Sequence, residues 1–117
     1  RPAMISNYNF GRITVNGTEY KNDIRITPEG EVLPEWWRKS GHTVDVDDVQ
    51  SIVTDDIDVL VLGKGKPGMM KASSALKKHL NQKGIELIEQ NTRKAVDTVN
   101  RLLQEKQKFA AGFHLTC

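Results

Sequence analysis

The segment Gly63-Lys64-Gly65-Lys66-Pro67-Gly68 combines glycines with two lysines, a composition suited to holding a small anion. Glycine lets backbone N–H groups approach a negatively charged ligand closely, and the ammonium groups of Lys64 and Lys66 would add charge. The segment lacks the GxxxxGK[ST] spacing of a nucleotide P-loop. Its Gly-x-Gly-x-x-Gly pattern is a weak match to a dinucleotide fingerprint, because the next predicted helix begins several residues later. Two interpretations therefore stay open: a tight turn, or a ligand-binding loop in which Gly63, Lys64, Gly65, Lys66 and Gly68 contact a small anion.

Three further side chains, those of Arg38, His42 and His114, would complete a ligand-binding cleft around this loop. His114 also lies three residues before Cys117, and a thiol beside an imidazole can act as a nucleophile and its base. In an extended strand, however, residues three apart point to opposite faces, so we expect no catalytic pair here. The three histidines show neither HxH nor HExxH spacing, so no metal site is predicted.

Trp36 and Trp37 are adjacent in the sequence. Neighbouring side chains point in different directions, so one ring is expected in the core and the other outside or in a cleft. Ordinary amphipathic packing explains such a pair without any function. An exposed tryptophan beside Arg38 is, equally, a common anchor for a protein partner.

The elements that must position these residues are of two kinds. In the first third, strands over 10–15 and 20–27 flank the turn Asn16-Gly17 and form an antiparallel meander. Val32-Leu33 begins a third short strand, which Pro34 ends or confines to a sheet edge. Asp45 then caps a first helix, and its neighbouring acids are explained by this capping without a catalytic role.

The remainder predicts alternating strands and helices. The run Val59-Leu60-Val61-Leu62 is typical of a strand covered on both faces, which we expect to be the central strand. The later elements are a helix from Ser73 or Ser74 to Gly84, a buried strand at Ile85 to Ile88, a helix capped by Thr92, and a last strand from Phe109 to Leu115.

This order implies parallel pairing through right-handed crossovers. The predicted fold is a single α/β domain over residues 1–117, with a mixed β-sheet, packed helices and an N-terminal β-meander. The residues Arg1, Pro2 and Ala3 precede Met4 and are interpreted as an expression remnant.

Composition narrows the class of protein. The 117 residues are 38% hydrophobic and 27% charged, with no apolar run approaching the roughly 20 residues of a membrane span and no secretory signal pattern. Together with a single cysteine, this predicts a cytoplasmic protein without a membrane role. Residues 1–63 have a net charge of −5 and residues 64–117 one of +7. The basic residues are spread over two amphipathic helices, as on solvated helix faces, so nucleic-acid binding is not favoured.

Several segments, taken in order, carry a resemblance to a known family: Trp37-Arg38 followed by Gly41-His42, Val61-Leu62-Gly63-Lys64-Gly65, Gly84-Ile85, Thr92 with Ala95 and Asn100, and the ending Gly112-Phe113-His114-Leu115-Thr116-Cys117. They resemble a family of small uncharacterised α/β proteins of archaea and bacteria. That family includes the animal adipogenesis-associated domain protein and, more distantly, a mitochondrial complex I assembly factor. The chain departs from the animal pattern between Arg38 and His42, where it is shorter, and at Val99. The resemblance implies a mixed-sheet α/β fold and no established reaction.

Two functional hypotheses follow. The first is a noncatalytic binding or assembly-accessory protein that contacts a protein partner and needs no cofactor. The alternative is an enzyme or sensor for a small anionic ligand bound at residues 63–68. The sequence contains no recognisable catalytic motif, so whether the chain is an enzyme stays open.

Overall fold

The apolar run at residues 59–63 forms one strand of a five-stranded mixed sheet on which the domain is built. The computed structural model describes residues 4–116, and its radius of gyration of 12.6 Å is that of one compact domain. The elements, in chain order, are β1 Ile5–Asn9, β2 Arg12–Val15, β3 Thr18–Tyr20, β4 Ile24–Ile26, β5 Val32–Leu33, β6 Thr43–Val44, a 3-10 helix Val46–Val49, β7 Val59–Gly63, β8 Lys71–Ala72, α1 Ser74–Lys83, β9 Glu86–Gln90, α2 Thr92–Gln104 and β10 Phe109–Phe113.

The strand order in the large sheet is β5-β4-β10-β7-β9. Strand β7 pairs in parallel with β10 and β9, whereas β4 pairs antiparallel with β10 and β5. The predicted mixed sheet is therefore confirmed. The prediction that residues 59–62 form the central strand is wrong, because β10 takes the middle position. Its small residues at 110–112 let the layers on both faces approach closely.

Each face of the large sheet carries its own core. Side chains alternate along a strand, so Val59 and Val61 enter the core under α2, whereas Leu60 and Leu62 enter the core under α1. All four are buried, as the continuous apolar run predicts. The second buried strand, predicted at Ile85 to Ile88, is observed as β9, but it is not buried on both faces. That strand lies at the sheet edge, where its side chains are only half-buried or exposed.

The helix ends follow local side-chain chemistry. The Ser73 hydroxyl accepts the Leu76 N–H at the start of α1, and Gly84 ends this helix with φ +70°, both as predicted. In α2 the predicted cap is wrong by one residue. Asn91 accepts the Lys94 N–H, while Thr92 is the first helical residue and is fully buried.

The first predicted helix is shorter than expected. Asp45 and Asp48 do form a capping box, in which the Asp48 carboxylate accepts the Asp45 N–H at 2.8 Å. The segment makes only the four-residue 3-10 helix, because valine and aspartate are poor helix formers.

The N-terminal strands form a separate antiparallel sheet in the order β1-β2-β3. The predicted turn at Asn16-Gly17 joins β2 to β3, with φ +52° and +84° at its two residues. The Asn100 side chain of α2 bonds both the N–H and the C=O of Ile5, which attaches this sheet to the core. The predicted strand 20–27 is broken at residues 21–23, and β1 was not predicted. Neither helix within residues 4–116 is long and apolar enough to cross a bilayer.

Candidate functional site

An aspartate, an arginine and a histidine side chain meet just beyond the end of β10. Asp23 Oδ2 accepts from Arg38 Nη2 at 2.8 Å and lies 2.7 Å from His114 Nδ1, while Oδ1 accepts the Leu115 N–H at 2.9 Å. The side chains are 16%, 5% and 9% exposed for Asp23, Arg38 and His114. Both carboxylate oxygens are therefore engaged in a largely buried ion-pair cluster.

Sheet register explains why residues so distant in sequence meet. Strand β10 pairs antiparallel with β4, and Phe113 lies opposite Ile24. The next residue after Phe113 is His114 and the residue before Ile24 is Asp23, so the pairing brings these two side chains together. Arg38 reaches the same place from the loop between β5 and β6, where its Nε and Nη2 donate to the Gly41 carbonyl.

The hydrogen bonds define which nitrogen of His114 carries a proton. An ionised carboxylate only accepts, so Nδ1 must donate to Asp23. Arg38 Nη2 approaches the same nitrogen at 3.3 Å, but both groups are donors and this contact is not a hydrogen bond. Nε2 is shielded from solvent and has no hydrogen-bond partner among residues 4–116.

The cluster lowers the pKa of Asp23. Burial by itself raises the pKa of this carboxyl, but hydrogen bonds from His114, the Leu115 N–H and Arg38 stabilise the ionised form more strongly. The net result is a pKa below the usual 3.8.

The other candidate residues from the sequence lie around this cluster. The imidazole of His42 lies across that of His114, with 5.6 Å between ring centres and 76° between ring planes. Gly65 is packed tightly against His114, since a Cβ at residue 65 would fall 2.7 Å from His114 Cδ2 and 2.0 Å from the Thr116 carbonyl oxygen. The structure thus brings together Arg38, His42, His114 and Gly65.

The backbone of the glycine and lysine loop is bonded within the domain. The N–H groups of Lys64, Gly65 and Lys66 donate to the Gln90 carbonyl, the Thr92 hydroxyl and the Thr116 carbonyl at 2.7, 2.8 and 3.0 Å. The Lys66 side chain is exposed, the Lys64 side chain is half-buried, and Gly68 has φ +110°. Helix α1 begins only after β8, so the loop contacts the start of α2 instead, where Thr92 N–H donates to the Gly65 carbonyl.

A shallow groove of about 420 Å³ lies beside the cluster and shares Asp23 with it. It is lined by both tryptophans and by Lys21, Asn22, Asp23, Glu35, Leu115 and Thr116. As predicted, one tryptophan is inside and one outside: Trp36 is 5% exposed and Trp37 is 78% exposed. The Trp36 ring also stacks on the Arg38 guanidinium, 4.6 Å from ring centre to Cζ.

Asp23 is the site residue that the sequence analysis missed. It occupies a short polar connection, Lys21-Asn22-Asp23, which is typical of a turn. The rule that a buried arginine needs a carboxylate partner could have indicated that such a residue exists, but nothing local singles out this acid among fifteen. Cys117 lies outside the described residues. Among residues 4–116, no three histidine, cysteine or acidic side chains gather as metal ligands.

Comparison with solved structures shows the same fold in several bacterial and archaeal proteins. A conserved hypothetical protein of Pyrococcus horikoshii is 28% identical, with a TM-score of 0.76 over 97% of this chain and 98% of the other. A Bartonella henselae protein described as an outer membrane protein is 24% identical, with a TM-score of 0.84 over 99% and 97%. A Bordetella pertussis protein described as a Mth938-like domain is 18% identical, with a TM-score of 0.75 over 97% and 85%.

The last two likenesses are below 25% identity and concern the fold alone. The family model described as protein of unknown function (DUF498/DUF598) matches residues 5–114, which include strands β1 to β10, helices α1 and α2, and the ion-pair cluster. The chain belongs to the DUF498/DUF598 family.

Proposed function

We propose that this chain is a noncatalytic, cytoplasmic binding domain that docks a protein partner, in the manner of an assembly-accessory protein. The observation that carries the proposal is Trp37, whose large indole ring is 78% exposed on the rim of the groove. Tryptophan is the residue type most enriched among side chains that dominate the binding energy of protein interfaces.

Two other large apolar residues, Phe10 and Met69, are also exposed, and their chain segments are hydrogen-bonded to residues 115–116, which line the groove together with Trp37. Beside Phe10, the Gly11 N–H donates to the Leu115 carbonyl at 2.9 Å, and in the loop of Met69 the Lys66 N–H donates to the Thr116 carbonyl. We call Phe10, Trp37 and Met69 the apolar rim. Three large apolar side chains that stay exposed in these segments favour an interaction site over a purely structural surface.

The base of this surface is rigid. Leu115 is bonded through its N–H to Asp23 and through its carbonyl to Gly11 and to the Tyr8 hydroxyl. A preorganised surface loses little conformational entropy when a partner binds, so more of the contact energy appears as affinity. In this interpretation the cluster of Asp23, Arg38 and His114 serves as a support, because its carboxylate oxygens are already engaged.

We expect the partner to be a protein segment whose apolar or aromatic side chain packs against the rim. The polar groups of Lys21 and Glu35 in the groove would bond its backbone or flanking polar groups. Enrichment in aromatic residues with a polar surround is the usual composition of a protein interface.

The test is quantitative affinity capture from the native cell with wild-type chain, Trp37→Ala and Met4→Ala, followed by titration of the recovered protein in purified form. Met4 is a matched control because it is 62% exposed but lines a different groove, with Asn100 and Leu103. We expect Trp37→Ala to weaken the purified interaction by about 2 kcal/mol or more, roughly thirtyfold, with Met4→Ala unchanged. Capture that is equal for all three proteins would overturn the proposal.

A second candidate function is binding of a small anion at residues 63–68. What supports it is charge: Lys64 and Lys66 lie at the carboxyl end of β7, and the loop contacts the start of α2, where Arg93 and Lys94 are exposed. The carboxyl ends of parallel strands are where open α/β sheets bind ligands. Since three loop N–H groups are bonded within the domain, the side chains would have to provide most of the binding.

A further inference from the structure

We propose that His42 and His114 form a binding site for a divalent transition metal ion of the zinc, nickel or copper type. The structure places a buried imidazole that has one nitrogen without a partner next to a second, exposed imidazole, and a carboxylate fixes the first ring through its other nitrogen. Its two histidines are not among the rim residues Phe10, Trp37 and Met69, and the inference does not depend on the proposed function.

His114 has the arrangement of a preorganised metal ligand. A histidine that binds a metal through one nitrogen almost always donates its other N–H to a carboxylate or carbonyl, which fixes the tautomer and increases the basicity of the ligating nitrogen. Here Nδ1 donates to Asp23 at 2.7 Å, so in the neutral imidazole the lone pair lies on Nε2. That atom is buried and has no hydrogen-bond partner among residues 4–116.

The second ligand is at a suitable distance. With a metal–nitrogen bond of about 2.0–2.1 Å, each ring centre lies about 3.2 Å from the ion, so two imidazoles at a tetrahedral angle have centres about 5.2 Å apart. The observed separation between His42 and His114 is 5.6 Å. His42 is exposed, so its side chain can change rotamer to bring a nitrogen to an ion held by His114.

The surroundings determine the class of ion. Imidazole nitrogens without carboxylate ligands suit Zn²⁺, Ni²⁺ and Cu²⁺ rather than Mg²⁺ or Ca²⁺, and Cu²⁺ should bind most tightly. Asp23 compensates the charge of Arg38, so the ion does not face an unpaired guanidinium. Two imidazoles leave the remaining coordination positions to water.

The test is isothermal titration of the full chain with ZnCl₂, NiCl₂ and CuCl₂ in a non-chelating buffer, with MgCl₂ as the control salt. We expect one ion per chain for the three transition metals and none for Mg²⁺. His42→Ala should abolish this single-site binding, and His79→Ala on α1 should leave the affinity unchanged. Asp23→Asn should weaken it about 10- to 100-fold, because the fixed tautomer is lost.

Two further measurements separate this site from other ligands. Cys117→Ser must retain the binding, since a thiol would take up these ions regardless of the histidines. In nitrogen-15 spectra of the wild type, Zn²⁺ should shift the imidazole nitrogens of His42 and His114 and spare those of His79. Binding that survives in His42→Ala, disappears in Cys117→Ser or is not detected for any of the three metals would overturn the proposal.

Discussion

The indole ring of Trp36 rests directly on the backbone of Gly112. A Cβ at residue 112 would fall 2.7 Å from Cη2 and 2.8 Å from Cζ3 of that ring, distances at which atoms must move. The ring cannot retreat easily, because its Nε1 donates to the Asp48 carbonyl at 2.9 Å and its face stacks on Arg38. A glycine at residue 112 is therefore needed for β10 to pack against Trp36, whose segment also carries Trp37 and Arg38.

We expect Gly112→Ala to lower the free energy of unfolding by about 1–3 kcal/mol, the usual cost of adding a methylene to a well-packed core. Urea denaturation followed by circular dichroism would measure the change. Gly41→Ala is the control, since a Cβ at residue 41 meets nothing within 4 Å and its φ is not positive. Equal stability of the two variants would show that the Trp36 ring can move at little cost.

Leu60→Ala should destabilise the domain by about 2–5 kcal/mol, because Leu60 is fully buried and the substitution leaves a cavity between β7 and α1. Leu87 lies opposite Leu60 in the register of β7 and β9, but it is only half-buried at the sheet edge. Leu87→Ala should therefore cost clearly less in the same denaturation experiment. The reverse order would contradict the assignment of β9 to the edge.

Asp23→Asn should lower the free energy of unfolding at pH 7 by about 3–5 kcal/mol, because it leaves the buried Arg38 guanidinium without a compensating charge. The exposed Asp97 provides the control, and Asp97→Asn should change stability by no more than about 0.5 kcal/mol. Guanidinium denaturation of both variants beside the wild type makes this comparison.

The stabilisation from Asp23 should also depend on pH in a defined direction. Its pKa is lower in the folded protein than the usual 3.8, so the unfolded chain takes up a proton first as the pH falls. The contribution is fully present above about pH 5 and is lost as the pH falls below 3.8 through the lowered pKa of the folded state. Stability measured from pH 7 to pH 2 should show the difference between wild type and Asp23→Asn shrinking only in that acid range. A difference that shrinks between pH 7 and pH 5 would point to a group other than this carboxylate.

Phosphate should raise the melting temperature more than chloride of matched ionic strength does, if the loop of Lys64 and Lys66 binds an anion. A ligand at 100 times its Kd stabilises the folded state by about 2.7 kcal/mol, so the response must saturate. The double substitution Lys64→Ala with Lys66→Ala should remove the phosphate-specific part. The double substitution Arg101→Ala with Lys108→Ala, which removes two exposed charges elsewhere, should retain it. If phosphate raises the melting temperature of both double variants equally, the loop is a tight turn and not an anion site.

The parts of the fold that the sequence predicts are those fixed by local chemistry. The run at residues 59–62 must be buried whatever its neighbours are, and Ser73 and Gly84 satisfy backbone groups within a few residues of themselves. Strand β1 was missed for an equally local reason. A bulge between Ile5 and Asn7 places its buried residues, Ile5 and Tyr8, three apart, which hides the alternation expected of a strand.

The ion-pair cluster shows what local chemistry cannot predict. Arg38, His42 and His114 were recognised as candidates by residue type, but Asp23 acquires its role only through the register of β4 and β10, across 91 residues of sequence. The position of β10 in the middle of the sheet has the same origin. Its Ala110, Ala111 and Gly112 have little intrinsic preference for strands, and their small size fits only because Trp36 and both helical layers pack against them.

The place of β10 affects how the chain can fold during synthesis. Strands β4 and β7 are separated in the sheet by β10, so neither has its shared neighbour until residue 113 has left the ribosome. When both helices have left the ribosome, the sheet still lacks its middle strand. The edges of β4 and β7 that face this gap are then unpaired. At the usual elongation rate of roughly 5–20 residues per second, the residues from the end of α2 to Phe113 take about 0.5–2 s to emerge. Stalling or early release in this interval would leave two strand edges open to pairing with another chain.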